Sequence, residues 1–433
     1  MKTETKKGAG VMNIAQILKE RGFIQDEGGG EAKDFLGEKR RVYLGVDPTA
    51  ESLQVGNLVP VFLLKHLADA GHQIVFLVGG GTGMIGDPRA SGERVLLDAK
   101  TVTKNTKAIQ AQLSTIFGKK KFTIVNNATW LSKLTLIDFL RDTAKHFTVN
   151  QLIKREIIKK RLDDENDSIS FTEFSYSLLQ GYDFWHLNKT KNVDLQIGGS
   201  DQWANIISGV DLIRRREGKS AYALTTPIIT DKKTGKKFGK SEGNAVWVDP
   251  KQTSPFEFYQ FWFNVNDEGL REYLNIFTFL DSAEIEKTLK EHAVNPAVRI
   301  GQKHLALEIT THIHGKEAAL AAARASEILY GTDPLGTLGK ITPKELALVL
   351  KEAPVHMVTK KELSKGVLLT DLLLATGLAT SKGEGRRLIE GNGVSVNTTR
   401  VADPVLSLDI SSFIKNVLII RAGKKVSLVS VKG

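Results

Sequence analysis

Tyr176, Gln180 and Asp183 are the residues whose types and spacing point most directly to chemistry. They lie at i, i+4 and i+7 in FSYSLLQGYDFW, so a helix places all three on one face. Their neighbours are large and apolar, which predicts a helix that is buried on several sides. Polar side chains on a buried helix need partners. Either a ligand with an amine at one end and a hydroxyl at the other supplies them, or the stripe faces solvent.

Two glycine-rich segments each follow an apolar run. In QIGGSDQW, Gly198 and Gly199 allow close backbone approach and Asp201 can accept hydrogen bonds from ribose hydroxyls. In GTGMIGDP, Thr82 and Asp87 are candidate ligand contacts. The alternative for both segments is a simple turn, with a capping aspartate in the second.

A third segment, DKKTGKKFGKSEG, contains five lysines between residues 232 and 240, with glycines that make the loop pliable. If the segment lies on an open surface, its lysines are simply hydrated and have no specific role. Beside a nucleotide it can move in and neutralise charge that develops on a phosphate.

Composition excludes several other classes of site and protein. The chain has no cysteine, so it has no disulfides, thiolate zinc sites or cysteine nucleophiles, and its nine histidines show no zinc spacing. No apolar run approaches the roughly 20 residues that a membrane span needs. Residues 1–12 are basic and lack an apolar core, which predicts a mobile leader and argues against a secretory signal. A cytoplasmic location is therefore expected.

The charge distribution favours a polyanionic partner. The net charge is +11, and from Lys365 onward ten Lys/Arg stand against five Asp/Glu. The tail therefore carries about half of the excess positive charge.

Alternating elements position these residues. RRVYLGVD and HQIVFLVGG read as buried strands with the helix NLVPVFLLKHLADAG between them. Such alternation, from about 40 to 225, predicts an α/β fold with a parallel sheet, and ligands bind at the carboxyl ends of its strands. The pattern is helical from 252 to about 330 and looser from 331 to 364. The tail then combines two short helices with strand-like VSVNTT, VLII and KVSLV.

Taken together, five segments in order resemble bacterial tyrosyl-tRNA synthetases, which are class I enzymes: VYLGVDPTAESLQVGNL, GGGTGMIGDP, YSLLQGYD, LQIGGSDQW and KFGKS. The resemblance implies that tyrosine and ATP form tyrosyl-adenylate and pyrophosphate, and that the tyrosyl group then passes to the 3′ end of tRNA(Tyr). It also implies a tail similar to the small RNA-binding module named after ribosomal small-subunit protein four. The predicted domains are the leader (1–12), a Rossmann-like catalytic domain (13–230), a mobile loop region (231–250), an α-helical anticodon-side domain (251–330), a linker (331–364) and a small α+β RNA-binding domain (365–433).

The resemblance also implies roles for the residues at the amino-acid end of the site. Tyr43 and Asp183 hold the substrate phenol, with Asp183 accepting its proton. Tyr176, Gln180 and Asp87 bind the α-ammonium, and Gln202 binds on the carboxylate side.

At the ATP end, the implied nucleotide contacts are Gly56, Gly198, Gly199, Asp201 and Lys240, and Thr49 lies near the phosphates. Lys237, Lys240 and Ser241 correspond to the mobile lysine loop of the family.

QVGN occupies the position of the family's HIGH motif, with Gln54 and Asn57 in place of its two histidines. Amide NH₂ groups donate to phosphate oxygens and do not titrate. The expectation is a working site with a reduced activation rate, and the alternative is that Asn57 is only a helix N-cap. A second departure, a shortened stretch from Arg89 to Arg94, leaves the phosphate contacts there unassigned.

The remaining predictions concern cofactors and partners. No cofactor is expected to bind tightly, no protein metal site is predicted, and Mg²⁺ arrives with ATP as substrate. The resemblance implies a homodimer that binds tRNA(Tyr), L-tyrosine and ATP and no membrane. The alternative for each candidate tRNA contact is a surface cation without a role in binding. The candidate tRNA contacts are Arg214, Arg215, Lys382, Arg386 and Arg387. Two other functions stay open, a non-catalytic RNA-binding paralogue and a synthetase for tryptophan.

Overall fold

A computed structural model of the chain describes residues 13–88, 97–118, 121–233, 235, 238–241 and 244–432. The predicted leader (1–12) and the shortened stretch from Arg89 to Arg94 lie outside these ranges. Among the helices in these ranges, none combines the length and the apolar character that crossing a bilayer requires.

The first half of the chain alternates strands and helices as predicted. Its strands are β1 Asp26–Gly28, β2 Arg41–Val46, β3 Gln73–Val78, β4 Phe122–Asn126, β5 Leu195–Gly199, β6 Tyr222–Thr226, β7 Lys240–Ser241 and β8 Asn244–Ala245. Its helices are α1 Ile14–Glu20, α2 Ala32–Phe35, α3 Leu58–Asp69, α4 Ala99–Phe117, α5 Ala128–Leu131, α6 Leu136–Asp142, α7 Val149–Leu152, α8 Glu156–Leu162, α9 Phe171–Lys191 and α10 Trp203–Glu217.

Strands β1 to β6 form one sheet in the order β1-β6-β5-β2-β3-β4. All neighbours are parallel except β1, which pairs antiparallel with β6. The interior strands read as continuous apolar runs because helices cover both faces of a parallel sheet. Strand β2 lies between β3 and β5, so the connections on its two sides run in opposite directions along the sheet. At such a point a crevice opens at the carboxyl end of the strand. The predicted α/β fold class is confirmed.

Helix α9 is the long helix that carries the predicted polar stripe. Ser170 caps its start by accepting from the Glu173 backbone N–H, and Asn192 ends it in the left-handed conformation. Tyr176 and Asp183 are buried, together with apolar neighbours such as Phe184. The prediction of a helix buried on several sides is confirmed.

The second half of the chain is helical first and mixed at its end. Its helices are α11 Pro255–Phe263, α12 Leu270–Phe277, α13 Ser282–Val294, α14 Ile300–His314, α15 Lys316–Tyr330, α16 Pro334–Lys340, α17 Pro343–Glu352, α18 Lys360–Leu363, α19 Leu369–Ala375 and α20 Lys382–Glu390. Its strands are β9 Val355–Thr359, β10 Val367–Leu368, β11 Val394–Val396, β12 Thr399–Val401, β13 Ser407–Leu408, β14 Val417–Ala422 and β15 Lys425–Lys432.

The C-terminal sheet has the order β12-β11-β14-β15-β9 and packs on the apolar sides of α19 and α20. VSVNTT is predicted to be one strand-like segment. In the structure it contains β11, the turn and the first residue of β12, which pairs with β11 as a hairpin. Asn397 and Thr398 both have positive φ, of 47° and 72°, which is the backbone that a tight two-residue hairpin turn demands.

The stretch from 331 to 364 is folded, which differs from the predicted linker. It contains α16 and α17, and β9 pairs in parallel with β15. Lys415 donates to the carbonyl oxygens of Gly339 and Ile341 at 2.7 and 2.6 Å, which ties this stretch to the tail. Strand β9 has a weak sequence signal, because it is held by backbone pairing and only Val358 among its side chains is buried.

The chain separates into two compact units, one formed by residues up to 249 with 266–287 and the other by 250–265 with the residues from 288 onward. This division differs from the predicted domain boundaries, because 266–287 packs with the first unit. There the Arg21 guanidinium donates to the carbonyl oxygens of Asn275, Thr278 and Leu280. Such contacts between distant segments leave no mark in a local sequence pattern.

Candidate active site

The carboxyl ends of β2, β3, β5 and β6 border a cavity of about 360 Å³ in the first unit. Strands β2, β3 and β5 are followed by polar or glycine residues at this edge. The predicted residues that line the cavity are Tyr43, Thr49, Gln54, Gly56, Asn57, Asp87, Tyr176, Gln180, Asp183, Gly198, Gly199, Asp201 and Gln202. Residues that are far apart in the sequence thus meet in one place.

At the closed end of the cavity, Tyr43 and Asp183 are buried, with exposed fractions of 1% and 2%. The Tyr43 hydroxyl has no hydrogen-bond partner among the described residues. Burial, and then the charge of Asp183, raise the pKa of Tyr43, so the phenol stays protonated. The cavity therefore contains an unused hydroxyl close to a buried carboxyl group.

Asp183 receives two hydrogen bonds from neutral donors. Asn127 Nδ2 donates to Asp183 Oδ2 at 2.8 Å, and Trp130 Nε1 donates to Asp183 Oδ1 at 2.7 Å. Burial raises the pKa of Asp183 to about 7, against the lowering effect of the two donors, and the nearby Asp47 adds to the rise. The carboxyl group is thus fixed in orientation and close to half-ionised at neutral pH.

Asn127 connects Asp183 to a second carboxylate. Its NH₂ group also donates to Thr82 Oγ1 at 2.9 Å, and its Oδ1 accepts from the Gly81 backbone N–H at 2.7 Å, which fixes the orientation of the amide. Thr82 Oγ1 then donates to Asp47 Oδ1 at 2.7 Å.

Gly79 makes this approach possible. A Cβ atom at Gly79 would lie 1.9 Å from Asp47 Oδ1. The glycine after β3 is therefore required by close packing, in addition to shaping a turn.

Tyr176 closes this network from α9. Its hydroxyl donates to Asp47 Oδ2 at 2.8 Å, and burial, then the charge of Asp47, raise its pKa well above the usual value. Because the proton of Tyr176 is used on Asp47, the lone pairs of its oxygen remain as acceptors towards the cavity.

Asp87 accepts from two amides. Gln202 Nε2 donates to Asp87 Oδ2 at 2.7 Å, and Asn205 Nδ2 donates to Asp87 Oδ1 at 3.1 Å. An anionic carboxylate beside the Tyr176 oxygen and Gln180 suits a cationic group of a ligand.

The open end of the cavity has a different character. Thr49, Asn57 and Asp201 are exposed, and Gly198 and Gly199 end β5. A Cβ atom at Gly198 would lie 3.0 Å from Ile206 Cδ1, so a larger residue there would crowd the first turns of α10. The amino end of α3 faces the same space, and a helix amino terminus favours anions.

The QVGN turn orients the Asn57 amide. Asn57 Oδ1 accepts from the Gln54 backbone N–H at 2.9 Å. Asn57 stands at the N-cap position of α3 but does not cap that helix with its side chain. Its bond to the Gln54 N–H is instead a capping contact of the short 3-10 turn Val55–Asn57, so a capping role and a phosphate contact both stay open. Since its oxygen is occupied, its Nδ2 group is the donor available to the cavity.

Backbone pairing ties the same turn to the base of the lysine loop. Val55 N donates to Val246 O at 3.0 Å, and Phe238, which lines the cavity, packs on Tyr273 and Phe277. Lys237 lies outside the described residues. Lys240 and Ser241 form β7, and the structure describes their backbone only.

None of the predicted RNA contacts is among the residues that line this cavity. Arg214 is exposed and pairs with Asp211 at 2.7 Å, and Arg215 donates to the His146 carbonyl oxygen. Lys382, Arg386 and Arg387 are exposed on α20, where Lys382 pairs with Asp371 at 2.5 Å. Their proposed role in tRNA binding stays a prediction.

Several residues of the site were missed in the sequence, among them Asn205, which donates to Asp87. Asp47 and Asn127 directly follow β2 and β4 at the ligand edge, which is a usable signal. Gln196 is a polar residue inside the apolar run of β5, and its Oε1 has no partner among the described residues. Trp130 had no signal, because only the fold brings its indole to Asp183. Among the described residues, no three His, Asp or Glu side chains are grouped to hold a metal ion.

Comparison with known proteins adds the family. Residues 36–331 match the model of the class I tRNA synthetases for tryptophan and tyrosine. Residues 345–429 match the C-terminal domain model of SYY-like tyrosine–tRNA ligases, a match that begins before the predicted boundary at 365.

Similar bacterial proteins named tyrosine–tRNA ligase include that of Bacteroides fragilis, 43% identical over 425 residues, which are 96% of this chain and 98% of that protein. That of Lactococcus lactis is 43% identical over 427 residues, covering 96% and 99%.

Among solved structures, the C-terminally truncated mitochondrial tyrosyl-tRNA synthetase of Aspergillus nidulans is 32% identical, with a TM-score of 0.63 over 72% of this chain and 92% of that one. A tryptophanyl-tRNA synthetase from Encephalitozoon cuniculi, 12% identical with a TM-score of 0.52 over 77% of this chain and 91% of that one, shares the fold.

Proposed function

Since this chain belongs to the class I tRNA synthetases for tryptophan and tyrosine, we propose that its cavity joins L-tyrosine to ATP and then passes the tyrosyl group to tRNA(Tyr). The chain is a tyrosine–tRNA ligase, as the match to both domain models and the full-length relatives of that name establish. The roles of individual residues, the use of ATP, the dimer and the cytoplasmic location are proposals.

The observation that carries the choice of tyrosine is the pair formed by Tyr43 and Asp183. A substrate phenol donates its proton to the Asp183 carboxylate and accepts from the otherwise unpaired Tyr43 hydroxyl. Phenylalanine would leave both groups buried and unsatisfied, which costs more than the lost contact alone. An indole has no hydroxyl to offer, so the pair also disfavours tryptophan.

At the other end of the amino acid, the α-ammonium binds between Asp87, Gln180 and the Tyr176 oxygen. The Tyr176 proton already lies on Asp47, which supports its role as an acceptor for the ammonium. Gln202 reaches the carboxylate side. These contacts align the carboxylate with the open end of the cavity.

ATP occupies that open end. Gly56, Gly198 and Gly199 let the nucleotide approach the backbone, and Asp201 accepts from ribose hydroxyls. ATP carries its own Mg²⁺, a substrate ion held by the phosphates.

The activation step is an in-line displacement. A tyrosine carboxylate oxygen attacks the α-phosphorus, the bond from that phosphorus to the bridging oxygen breaks, and pyrophosphate leaves with the electron pair. No proton needs to be removed, so amides can replace histidines. Asn57 Nδ2, whose orientation follows from the Gln54 N–H bond, donates to phosphate together with Gln54 and Thr49. Lys237 and Lys240 neutralise the leaving pyrophosphate from the loop, and the Ser241 hydroxyl donates a hydrogen bond to it.

In the second step, a ribose hydroxyl at the 3′ end of tRNA attacks the carbonyl carbon and AMP leaves.

Arg386 and Arg387, both exposed on α20, are proposed to bind phosphates of this RNA. Replacing both with alanine should weaken tRNA binding and reduce the salt slope of log Kd by about 1.5, because two phosphate contacts and their counterions are lost. An unchanged slope in filter binding at four salt concentrations would remove both residues from the RNA surface.

A second copy of the chain is proposed to cover an apolar surface in the first unit. Large apolar side chains are exposed in consecutive elements from α6 to α9, namely Leu136 (69%), Ile137 (68%), Leu140 (45%), Val149 (61%), Leu162 (52%) and Phe171 (77%). Such a concentration is typical of a protein interface. Sedimentation equilibrium should give a dimer, and Leu136→Asp with Ile137→Asp should give a monomer; a wild-type monomer at micromolar concentration would refute the dimer.

One assay tests the activity and its rivals together. ATP–pyrophosphate exchange should depend on tyrosine and be negligible with phenylalanine or tryptophan. Exchange with tryptophan would identify the other specificity of this family. Absence of exchange with all three amino acids, with tRNA binding intact, would identify a non-catalytic RNA-binding protein.

A further inference from the structure

Arg155 is a cation beside the ammonium end of the cavity, and the mechanism above does not use it. It precedes α8, and its guanidinium lies against α10. Its NH1 group donates to Asn205 Oδ1 at 3.2 Å, and its NH2 group donates to Ser208 Oγ. Both of these partners are neutral. Desolvation lowers the pKa of Arg155 to about 10, so the side chain remains cationic at neutral pH.

The bond from Arg155 decides which way the Asn205 amide points. A guanidinium can only donate, so the Asn205 oxygen must face Arg155 and its NH₂ group must face away. That NH₂ group donates to Asp87 Oδ1 at 3.1 Å and to Gln202 Oε1 at 3.2 Å.

The same logic extends one residue further. Because Gln202 Oε1 accepts from Asn205, the Gln202 NH₂ group is the one that faces Asp87, where it donates to Oδ2 at 2.7 Å. Each oxygen of the Asp87 carboxylate therefore receives an N–H group whose orientation traces back to Arg155. A flip of the Asn205 amide would turn its oxygen towards Asp87, and two acceptors would then face each other.

We propose that Arg155 is a positioning residue that, through Asn205 and Gln202, holds the Asp87 carboxylate ready for the α-ammonium of the amino-acid substrate. The proposal rests on the proposed function, since Asp87 binds an ammonium only if the cavity takes an amino acid. Arg155 touches no substrate atom. Its charge also lies close enough to Asp87 to interact with it, which favours the ionised carboxylate that an ammonium needs.

Two ligands that differ only in the ammonium group test this. Tyramine carries the phenol and the ammonium, whereas 4-ethylphenol carries the phenol alone. Arg155→Met should raise the Kd of tyrosine and of tyramine about tenfold, and that of 4-ethylphenol less than twofold, because one set of oriented donors is lost at the ammonium end only. The KM for ATP in pyrophosphate exchange should change less than twofold.

Two control variants separate positioning from folding. Ser208→Ala removes the other bond of the same guanidinium and should leave the tyrosine Kd within twofold. Arg324→Met removes an exposed arginine in the second unit that pairs with Glu327, and should change none of these constants.

A double-mutant cycle with Asn205→Ala makes the test independent of stability. If Arg155 acts through Asn205, adding Arg155→Met to Asn205→Ala should raise the tyrosine Kd less than twofold further. Additive losses, or equal losses for tyramine and 4-ethylphenol, would overturn the proposal. Wild-type protein that binds neither tyrosine nor tyramine would instead refute the proposed function and leave Arg155 as a packing residue.

Discussion

The two ends of the active-site cavity are built in opposite ways. At the phenol end, Tyr43 and Asp183 are almost completely buried, and Asp183 is held by two side chains from the segment after β4. At the end proposed to bind the ATP phosphates, Thr49, Asn57 and Asp201 are exposed, and turns, glycines and amides line the cavity. One end is closed and contains a carboxyl group whose pKa burial raises to about 7, and the other is open and rich in glycines and amides.

The difference follows from what each end must do. Telling a phenol from a benzene ring requires buried partners that lose heavily when they are left unpaired. Activating a phosphate requires donors that engage charge as it develops, and a loop can deliver these late. Changes at the closed end should therefore alter substrate choice, and changes at the open end should alter rate.

The largest expected effect is on substrate choice at the phenol end. Asp183→Asn should lower the ratio of kcat/KM for tyrosine over phenylalanine about 150-fold, because a charged hydrogen bond worth about 3 kcal/mol is lost for tyrosine alone. Steady-state pyrophosphate exchange measures the ratio. Asp201→Asn at the open end is the matched control: it should raise the KM for ATP and leave the ratio unchanged. If the ratio held in Asp183→Asn, the phenol would bind elsewhere.

A smaller effect is expected on rate at the phosphate end. Lys240→Ala should slow adenylate formation about 30-fold with little change in the tyrosine Kd, since the loop engages phosphate mainly in the transition state. Rapid-quench single turnovers give the rate. Lys233→Ala, an exposed lysine of the same loop outside KFGKS, should behave like wild type. A weaker tyrosine Kd at an unchanged rate would assign Lys240 to the amino-acid pocket.

The closed end should also respond to pH. The pKa of Asp183, raised to about 7 mainly by burial, means that acidification protonates the group that accepts the phenol proton. Below pH 7, kcat/KM for tyrosine should fall about tenfold per pH unit. The Asp183→Asn variant should not show this decline. A flat wild-type profile between pH 5.5 and 7 would contradict it.

The same pKa has a consequence for stability. The pKa of Asp183 is higher in the folded protein than in the unfolded chain. The folded state is therefore most stable in acid, where Asp183 is protonated. As the pH rises through 7 the buried group ionises, and the free energy of unfolding falls by about 4 kcal/mol. The thermal transition temperature of ligand-free Asp183→Asn relative to that of wild type should therefore be higher at pH 8 than at pH 5, whatever the variant loses because its NH₂ group faces one of the two donors.

The smallest effect is expected where amides replace histidines. Gln54→His should change the rate of adenylate formation by a few-fold and introduce a pH dependence near 6.5, because imidazole titrates there and the amide does not. Gln54→Ala, which removes the donor without adding a titrating group, should slow the step at every pH. A histidine variant with a flat profile would show that residue 54 does not contact the phosphates.

Part of this protein was determined by the local sequence. The alternation of apolar strands and helices predicted the parallel sheet, the i, i+4, i+7 stripe predicted the polar face of α9, and glycines after β3 and β5 marked the ligand edge. These signals are readable because burial imposes a period on neighbouring residues.

Other features were decided only by tertiary structure. The two donors that hold Asp183, the orientation of Asn205 by Arg155, and the pairing of β9 with β15 all join residues that are remote in the chain. The raised pKa of Asp183 likewise depends on burial among several elements. A sequence pattern records which residues can be buried or can donate. It does not record which partner each residue meets, because that depends on how distant segments pack.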